Sequence, residues 1–223
     1  MREIVLDTET TGLDPADGHR IVEIACLELY NHVPTGRTYQ CYIDPERDMP
    51  ADALAVHGLT IEFLSGKPKF AEIVAPFLAF VGDAPFVIHN AEFDIKFLNA
   101  ELVRLGHPPV PPERAIDTLA LARRKFPGAQ ASLDALCRRF MIDTTARTLH
   151  GALVDCSLLA QVYLELLGGR QPTLGLAADA TAVVGLQAMD RIFRPPRPHA
   201  PSREEIAAHQ AMVARLKDPL WPL

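Results

Sequence analysis

The sequence lacks an apolar run long enough to span a membrane, and its start does not have the pattern of a signal peptide. Arg2-Glu3 leads directly into a strand-like segment that ends in acidic residues, whereas a signal peptide has an uninterrupted apolar centre. A membrane-spanning helix needs about 20 apolar residues. We therefore expect a cytoplasmic protein that has no membrane partner.

Paired cysteines and an excess of positive charge are also missing. The four cysteines include no C-x-x-C pair and no cluster with histidine, so we expect reduced thiols rather than disulfides or a zinc site. The chain has 22 Lys and Arg against 28 Asp and Glu, a net charge of −6. This argues against binding of duplex DNA through a broad, positively charged surface. Any contact with nucleic acid would have to be local, bridged by metal ions or shared with a partner.

What is present is an ordinary globular composition, with 48% hydrophobic and 22% charged residues in a chain of 223. Strand-like segments come first, at Ile4–Leu6, Arg20–Tyr30 and Thr38–Ile43, with a hairpin turn predicted at Pro34–Gly36. A short apolar strand at Phe86–His89 then alternates with helical patterns. This order predicts an α/β fold, in which helices flank a mixed sheet.

The domain organisation follows from a change in composition after Gly169. The longest helical pattern stops at Gly168-Gly169, which predicts a folded domain over residues 1–169. Residues 170–201 are rich in Ala, Pro, Thr and Arg without firm periodicity, as expected of a flexible linker. A new helix is predicted from Ser202, which forms a capping box with Glu205, so residues 202–223 make a separate segment.

Two acidic residues stand at the end of the first strand. Asp7 and Glu9 follow the apolar run Ile4–Leu6 and lie two positions apart, so in extended chain both side chains project from the same face. Their repulsion at 4 Å would cost about 4 kcal/mol at an effective dielectric constant of 20, and a divalent cation is the simplest compensation. The alternative is that both residues only cap the following turn.

Two further acids and a histidine extend this pattern. Asp94 follows the second buried strand, and Asp155 lies among apolar residues of the longest helix, five positions after His150. A buried, unpaired carboxylate is costly, whereas four carboxylates that converge suit Mg²⁺ or Mn²⁺. Singly, Asp155 could pair with an arginine, His150 could cap its helix and Asp94 could be solvated. Together they favour a metal site, beside which His150 would accept a proton.

At this point the sequence resembles a known family. Asp-x-Glu-Thr-Thr-Gly at Asp7–Gly12, His-Asn-Ala-x-Phe-Asp at His89–Asp94 and His-x-x-x-x-Asp at His150–Asp155 are similar to the three motifs of the DEDDh 3′→5′ exonucleases, in the same order. Further stretches, such as Ser132–Cys137 and Arg147–Leu153, resemble the branch of bacterial replicative proofreading subunits. The resemblance runs to about Gly169 and resumes at Glu204–His209.

The resemblance implies a ribonuclease H-like fold and a two-metal-ion active site. Two divalent metal ions, Mg²⁺ or Mn²⁺, would be held by Asp7, Glu9, Asp94 and Asp155, and His150 would take the proton from the attacking water. The substrate would be a DNA 3′ end, and the product a 5′-mononucleotide. The residues implied to contact the terminal nucleotides are Thr10, Thr11, Gly12, His57, Asn90 and Phe93. For His57 the alternative is a polar residue at a helix end.

The tail resembles segments that bind replication proteins. Gln171–Leu176 is similar to the short clamp-binding peptides, in which Gln precedes apolar anchors, here Leu174 and Leu176. The segment from Ser202, with Ile206 on its helix and the single tryptophan Trp221 near its end, resembles the part by which proofreading subunits hold the polymerase subunit. Alternatives are a chance match for the peptide and a Trp221 that packs on its own domain.

Three functions remain open from the sequence. The leading one is a metal-dependent exonuclease that proofreads for the replicative polymerase. A DEDDh exonuclease that trims RNA is the second, and it would leave the tail motifs unexplained. The third is a catalytically idle scaffold between polymerase and clamp, against which stands the presence of all five catalytic positions.

Overall fold

The structure is a computed structural model that describes residues 1–145, 150–169 and 200–217. The chain divides into two compact units, Met1–Gly175 and Leu176–Leu223. The predicted clamp-binding residues Gln171, Leu174 and Leu176, and also Trp221, lie outside the described residues. Within the described part of the chain, no helix combines the length and apolarity needed to cross a bilayer.

The first unit is built on a five-stranded mixed sheet in the order β3-β2-β1-β4-β5. The strands are β1 (Arg2–Thr10), β2 (Ile21–Tyr30), β3 (Val33–Tyr42), β4 (Phe86–Ile88) and β5 (Ala115–Asp117). Strands β1, β2 and β3 pair antiparallel, whereas β4 runs parallel to both β1 and β5. The predicted mixed sheet is therefore confirmed.

The helical patterns that the sequence predicts around the strand Phe86–His89 are helices in the structure. Seven of the described helices belong to the first unit and the eighth to the second: α1 (Ala51–His57), α2 (Ile61–Leu64), α3 (Phe70–Val81), α4 (Ala91–Arg104), α5 (Thr118–Lys125), α6 (Leu133–Phe140), α7 (Ala152–Leu166) and α8 (Arg203–Val213). Ser132 caps α6, and Ser202 with Glu205 forms the predicted capping box of α8.

Strand β1 lies at the centre of the sheet and has apolar packing on both faces. Ile4 and Leu6 belong to the larger core cluster, which includes the buried side chains of α3 and α4. Val5 points to the other face, into a cluster with Ala152 and Cys156 of α7. Because side chains alternate along a strand, the odd-numbered residues of β1 face α7.

Two details of the sheet differ from the sequence prediction. The β2–β3 turn is at Asn31 and His32, which both have positive φ (51° and 66°), and not at Pro34–Gly36, which lies inside β3. Positive φ at both central residues is what a two-residue hairpin turn with the twist of its strands requires. The short strand β5 (Ala115–Asp117) was not predicted, because three residues show no periodicity.

The cysteines are as expected. Cys26, Cys137 and Cys156 are buried, Cys41 is partly buried, and none of the four forms a disulfide. Burial raises the pKa of the Cys156 thiol well above its ordinary value, and the nearby charge of Asp7 adds to this. The Cys156 thiol is therefore held protonated and acts as a small apolar side chain.

Candidate active site

Asp7 and Glu9 are positioned by the central strand. They share the face of β1 that Val5 turns toward α7. Glu9 is buried, while Asp7 is partly exposed beside a cavity. The strand thus holds two carboxylates on the same side as the beginning of α7, which carries the next acid.

Asp94 lies in the first turn of α4, directly after β4. Its Oδ1 accepts hydrogen bonds from the backbone N–H of Thr8 (3.0 Å) and from Thr8 Oγ1 (2.7 Å), so it is tied to the central strand. Asn90 makes the sharp turn between β4 and α4 with φ 65° and ψ 55°, and its N–H donates to Asp117 Oδ1 (3.1 Å). Asp94 is only 4% exposed, so it is not the solvated helix residue that was one alternative.

Asp155 and His150 lie together at the start of α7. Asp155 is in the first turn and is 4% exposed, and its Oδ2 lies 3.2 Å from His150 Nδ1. An ionised carboxylate only accepts hydrogen bonds, so Nδ1 carries the proton and Nε2 is the basic nitrogen. The helix is capped by Gly151, so the alternative of His150 as the N-cap is wrong.

The acidic residues form one electrostatic cluster. Glu9, His150 and Asp155 each offer a ligand atom, and these atoms all lie within 4.8 Å of one another. Burial raises the pKa of Asp7 well above its ordinary value, and the charges of Asp94, Glu9 and Asp155 raise it further. Such oxygen-rich, mutually repelling donors fit a hard divalent cation, which would remove the repulsion.

The cluster makes the stability of the metal-free protein depend on pH. Burial raises the pKa of Asp94 to about 7, although hydrogen bonds from Thr8 oppose the shift. A carboxyl with a raised pKa binds its proton more tightly in the folded state, so stability is greatest below the unfolded pKa near 4 and falls as pH rises toward 7. In chelator, the melting temperature at pH 8 should be lower than at pH 5 by at least about 3–5 °C, the effect of one pKa unit in a chain of this size.

Calorimetry at the two pH values, with and without Mn²⁺, measures this dependence. Added Mn²⁺ should raise the melting temperature more at pH 8 than at pH 5, because the ionised carboxylates bind it. A metal-free protein that is equally stable at both pH values would contradict the raised pKa values.

A cavity of about 590 Å³ collects most of the predicted substrate-binding residues. Thr10, Thr11, Gly12, His57 and Phe93 line it together with Glu9. The volume lies in the range of small-molecule sites. Asn90 does not line this cavity and lies in a second one.

His57 is the last residue of α1, as the alternative had it, and it is also a buried wall of the 590 Å³ cavity. It is 5% exposed, and its Nδ1 accepts the N–H of Leu59 at 3.0 Å. Burial lowers the pKa of His57, and the charge of His150 lowers it further. Nε2 is buried and has no partner with hydrogen-bond geometry among the described residues. A neutral His57 therefore presents an N–H toward this part of the site.

His19 is a part of the same cavity that the sequence did not reveal. Its Nδ1 lies 3.1 Å from Thr11 Oγ1, and its ring packs on the backbone of Gly12. A Cβ atom at Gly12 would lie 2.3 Å from the ring Cε1. The glycine of the first motif is thus required for the close approach of His19.

The second cavity, of about 540 Å³, is bordered by Asp7, His150 and Asp155 on the side of the acidic cluster. Its other walls come from the turn after β4, from α5 and from the start of α6: His89, Asn90, Leu119, Arg123, Ser132, Leu133 and Asp134. We call it the α5–α6 cleft. It shares no lining residue with the 590 Å³ cavity, so the acidic cluster borders two separate cavities.

Glu23 is a fifth carboxylate at the site, and the sequence did not reveal it. It lies opposite Glu9 in the β1–β2 pairing. One oxygen accepts a hydrogen bond from Gln40 Nε2 (2.7 Å) and the other from the N–H of Ala152 (3.3 Å), the first residue of α7. Burial raises the pKa of Glu23, and the charge of Asp155 adds to this. The only sequence signal is an acid within a largely apolar strand, and Glu28 of the same strand gives the same signal.

Comparison with curated proteins gives relatives that match nearly the whole chain. The DNA polymerase III subunit epsilon of Rickettsia conorii is 48% identical over 223 residues, covering 97% of this chain and 96% of the relative. The protein of the same name from Escherichia coli is 41% identical over 224 residues, covering 95% and 92%. The similarity therefore extends beyond the first unit into the tail.

Solved structures with a similar fold include exonucleases. Exonuclease X in complex with 5′ overhanging duplex DNA has a TM-score of 0.59 and 29% identity, covering 74% of this chain and 90% of that one. The nuclease domain of 3′hExo, a DEDDh family member bound to rAMP, has a TM-score of 0.64 and 20% identity, covering 74% and 91%. The second likeness supports the ribonuclease H-like fold alone.

The family match includes all three motifs and the acidic cluster that they build. The Exonuclease family (RNase_T) matches residues 4–163, which contain Asp7, Glu9, Asp94, His150 and Asp155. Together with the relatives of 41–48% identity, this match shows that the chain belongs to the Exonuclease family.

Proposed function

We propose that this chain is the proofreading 3′→5′ exonuclease of a bacterial replicative polymerase, the role of a DNA polymerase III epsilon subunit. The observation that carries the proposal is that Glu9, Asp155 and His150 meet between two cavities, one of which Asp7 also borders. The near full-length similarity to epsilon subunits supports the same role. An enzyme that removes 3′-terminal nucleotides needs this combination of a metal site and a terminal pocket.

Asp7, Glu9, Asp94 and Asp155 would hold two divalent metal ions, Mg²⁺ or Mn²⁺. Such ions, when bound, activate the attacking water and stabilise the charge that develops on the leaving 3′-oxygen. The hydrogen bonds from Thr8 to Asp94 and from Ala152 to Glu23 support this assignment, because they fix α4 and α7 relative to β1 and β2. Fixed carboxylates bind a metal without reorganisation.

His150 would act as the general base. The contact between its Nδ1 and Asp155 Oδ2 leaves Nε2 as the proton acceptor. Its side chain is 49% exposed, so it has room to turn toward an attacking water. Its backbone N–H donates to Val56 O (3.3 Å), which keeps His150 near the end of α1 and thus near His57.

The 590 Å³ cavity would bind the 3′-terminal nucleotide. Phe93 supplies an aromatic surface, and bases stack on aromatic rings without sequence preference. The buried N–H of His57 and the hydroxyls of Thr10 and Thr11 supply polar contacts. Since the pocket would hold a single strand, the 3′-terminal base has to unpair from the template before its phosphodiester bond is hydrolysed.

This requirement predicts faster removal of mispaired ends. Unpairing a matched end costs a few kcal/mol more than using a frayed end, so a primer with a mispaired 3′ terminus should be shortened about tenfold or more faster than a matched one, since about 1.4 kcal/mol corresponds to tenfold. Gel-resolved digestion of 5′-labelled primer–template pairs in Mg²⁺ measures both rates. The same primers without template serve as the control and should be cut at equal rates. Equal rates on matched and mispaired duplexes would count against proofreading.

The chain would be organised as an exonuclease domain over residues 1–169, a linker over 170–201 and a polymerase-binding segment over 202–223. In the second unit, α8 carries exposed apolar side chains at Ile206 (43%) and Met212 (50%). Exposed apolar groups on one short helix support a role as a docking segment. The DNA polymerase III alpha subunit is the proposed partner there, and the sliding clamp is proposed to bind Gln171–Leu176.

Deletion of residues 200–223 should abolish binding to the polymerase alpha subunit and leave the exonuclease active. Tethering raises the local concentration of the nuclease at the primer end without changing its site. Size-exclusion chromatography of the mixed subunits measures binding, and digestion of a single-stranded oligonucleotide is the control for folding. Co-elution of the shortened chain with the alpha subunit would overturn the assignment of the tail.

A further inference from the structure

The division of the acidic cluster between two cavities gives the substrate strand a direction. Glu9 borders the 590 Å³ cavity, whereas Asp7 borders the α5–α6 cleft. The bond that is cut joins the terminal nucleotide to the penultimate one. If the terminal nucleotide fills the first cavity, the strand continues past Asp7 and His150 into the α5–α6 cleft.

A guanidinium group lines the α5–α6 cleft. Among the described residues that line it, Arg123 is the only lysine or arginine. Burial lowers the pKa of His89, which also lines the cleft. The charge of Arg123 lowers this pKa further, whereas the charge of Asp117 opposes the shift. Among the described residues, no carboxylate forms an ion pair with Arg123 within 4.0 Å.

Neighbouring cations on α5 and α6 differ from Arg123 in position or in contacts. Lys125 Nζ donates to the carbonyl oxygens of Glu165 (3.0 Å) and Leu166 (2.8 Å) at the end of α7. The Arg139 guanidinium lies 4.5 Å from the ring centroid of Phe126. Arg124 is exposed and does not line the cleft. Arg123 is therefore the cation of α5 that faces the reaction site.

We propose that the α5–α6 cleft holds the penultimate nucleotide and that Arg123 binds the phosphate on the 5′ side of that nucleotide. The inference rests on the proposed function and assigns the cleft to it. A guanidinium binds phosphate by charge-assisted, bidentate hydrogen bonds. One local contact of this kind also suits a chain of net charge −6, whose other acids repel DNA.

Two dinucleotides test this contact directly. d(TpT) has only the phosphate that is cut, whereas 5′-phosphorylated d(pTpT) also has the phosphate assigned to Arg123. The wild-type chain in Mg²⁺ should have a KM for d(pTpT) about tenfold below that for d(TpT), the scale of one charged hydrogen bond. Arg123→Ala should remove this preference, keep kcat and leave the KM for d(TpT) unchanged. Arg123→Lys should restore part of the preference.

Arg124→Ala is the matched control, since it removes the same charge one position away from the cleft, and it should keep the wild-type preference. On a longer oligonucleotide, Arg123→Ala should also reduce the slope of log KM against log salt by about 0.7, the value for one phosphate contact on single-stranded DNA. An unchanged preference in Arg123→Ala, or an equal loss on both dinucleotides, would overturn the inference. Absence of hydrolysis by the wild-type chain on either dinucleotide would instead contradict the proposed function and, with it, the inference.

Discussion

Replacement of Asp7 with Asn should lower exonuclease turnover by about 1,000-fold, and it should also make the metal-free protein more stable. Loss of one electrostatic stabiliser of a transition state costs about 100- to 1,000-fold, and Asp7 is expected to contact metal and thus the reacting phosphate. The substitution keeps the shape of the side chain and removes its negative charge. That charge is unfavourable in the folded state, because burial and the charges of Asp94, Glu9 and Asp155 raise the pKa of the Asp7 carboxyl. Unfolding should therefore need a higher temperature.

The size of the stability gain follows from the pKa shift. One pKa unit corresponds to about 1.4 kcal/mol, or about 3–5 °C in a chain of this length. The gain should appear at pH 8, where the wild-type carboxylates are ionised, and shrink at pH 5. Differential scanning calorimetry in chelator, beside a digestion assay in Mg²⁺, measures the two effects on one preparation.

Glu92→Gln is the matched control for Asp7→Asn. Glu92 is an exposed acid on α4, two positions before Asp94, and it lies outside the acidic cluster. Its neutralisation should leave both turnover and metal-free stability nearly unchanged. An Asp7→Asn protein that is inactive but less stable than wild type would indicate that Asp7 supports the fold rather than the reaction.

Replacement of His150 with Gln should lower kcat by about 100- to 10,000-fold, the contribution of a general base, with little change in stability or in the KM for DNA. The side chain is 49% exposed and is not part of the core, so the fold does not depend on it. Glutamine keeps a polar group of similar reach but cannot take a proton from water near neutral pH.

The pH–rate profile separates a general base from a structural histidine. The wild-type rate should rise with pH until the general base is deprotonated and then level off, whereas His150→Gln should lose that rise. His209→Gln, at an exposed position of α8, is the control and should keep the wild-type profile. A His150→Gln enzyme with the same dependence on pH would remove His150 from the proton transfer.

Much of this fold was predictable because its signals are local. The apolar run of β1 is buried on both faces, and the caps at Ser132 and Ser202 are made by side chains next to the helices that they begin. The turn was misplaced because Pro34–Gly36 has typical turn residues, whereas Asn31 and His32 take the positive φ that the hairpin needs. Pro34 is tolerated within β3, which is an edge strand.

The part of the site that could be predicted from the sequence consists of the residues in the three motifs. The first motif has its acids on a buried strand and the second has its acid shortly after one, so their placement at the sheet follows from the sequence. Glu23 and Arg123 were missed because neither belongs to a motif, and each acquires its role only through a distant partner. Glu23 meets Ala152 across 129 positions of sequence. Arg123 lines the cleft because α5 packs against α7 and because Thr118, the first residue of α5, donates to the carbonyl oxygen of Ile88 in β4.

Counting the bound metal ions tests the proposed metal centre most directly. Mn²⁺ binding at pH 8 is titrated by calorimetry, in the presence of a saturating 5′-mononucleotide, for the wild-type chain and for Asp7→Asn. We expect two Mn²⁺ ions per wild-type chain and fewer than two for Asp7→Asn, because Asp7, Glu9, Asp94 and Asp155 together would hold the two ions. Binding of no Mn²⁺, or equal binding by both proteins, would contradict the assignment of these four carboxylates as the metal centre.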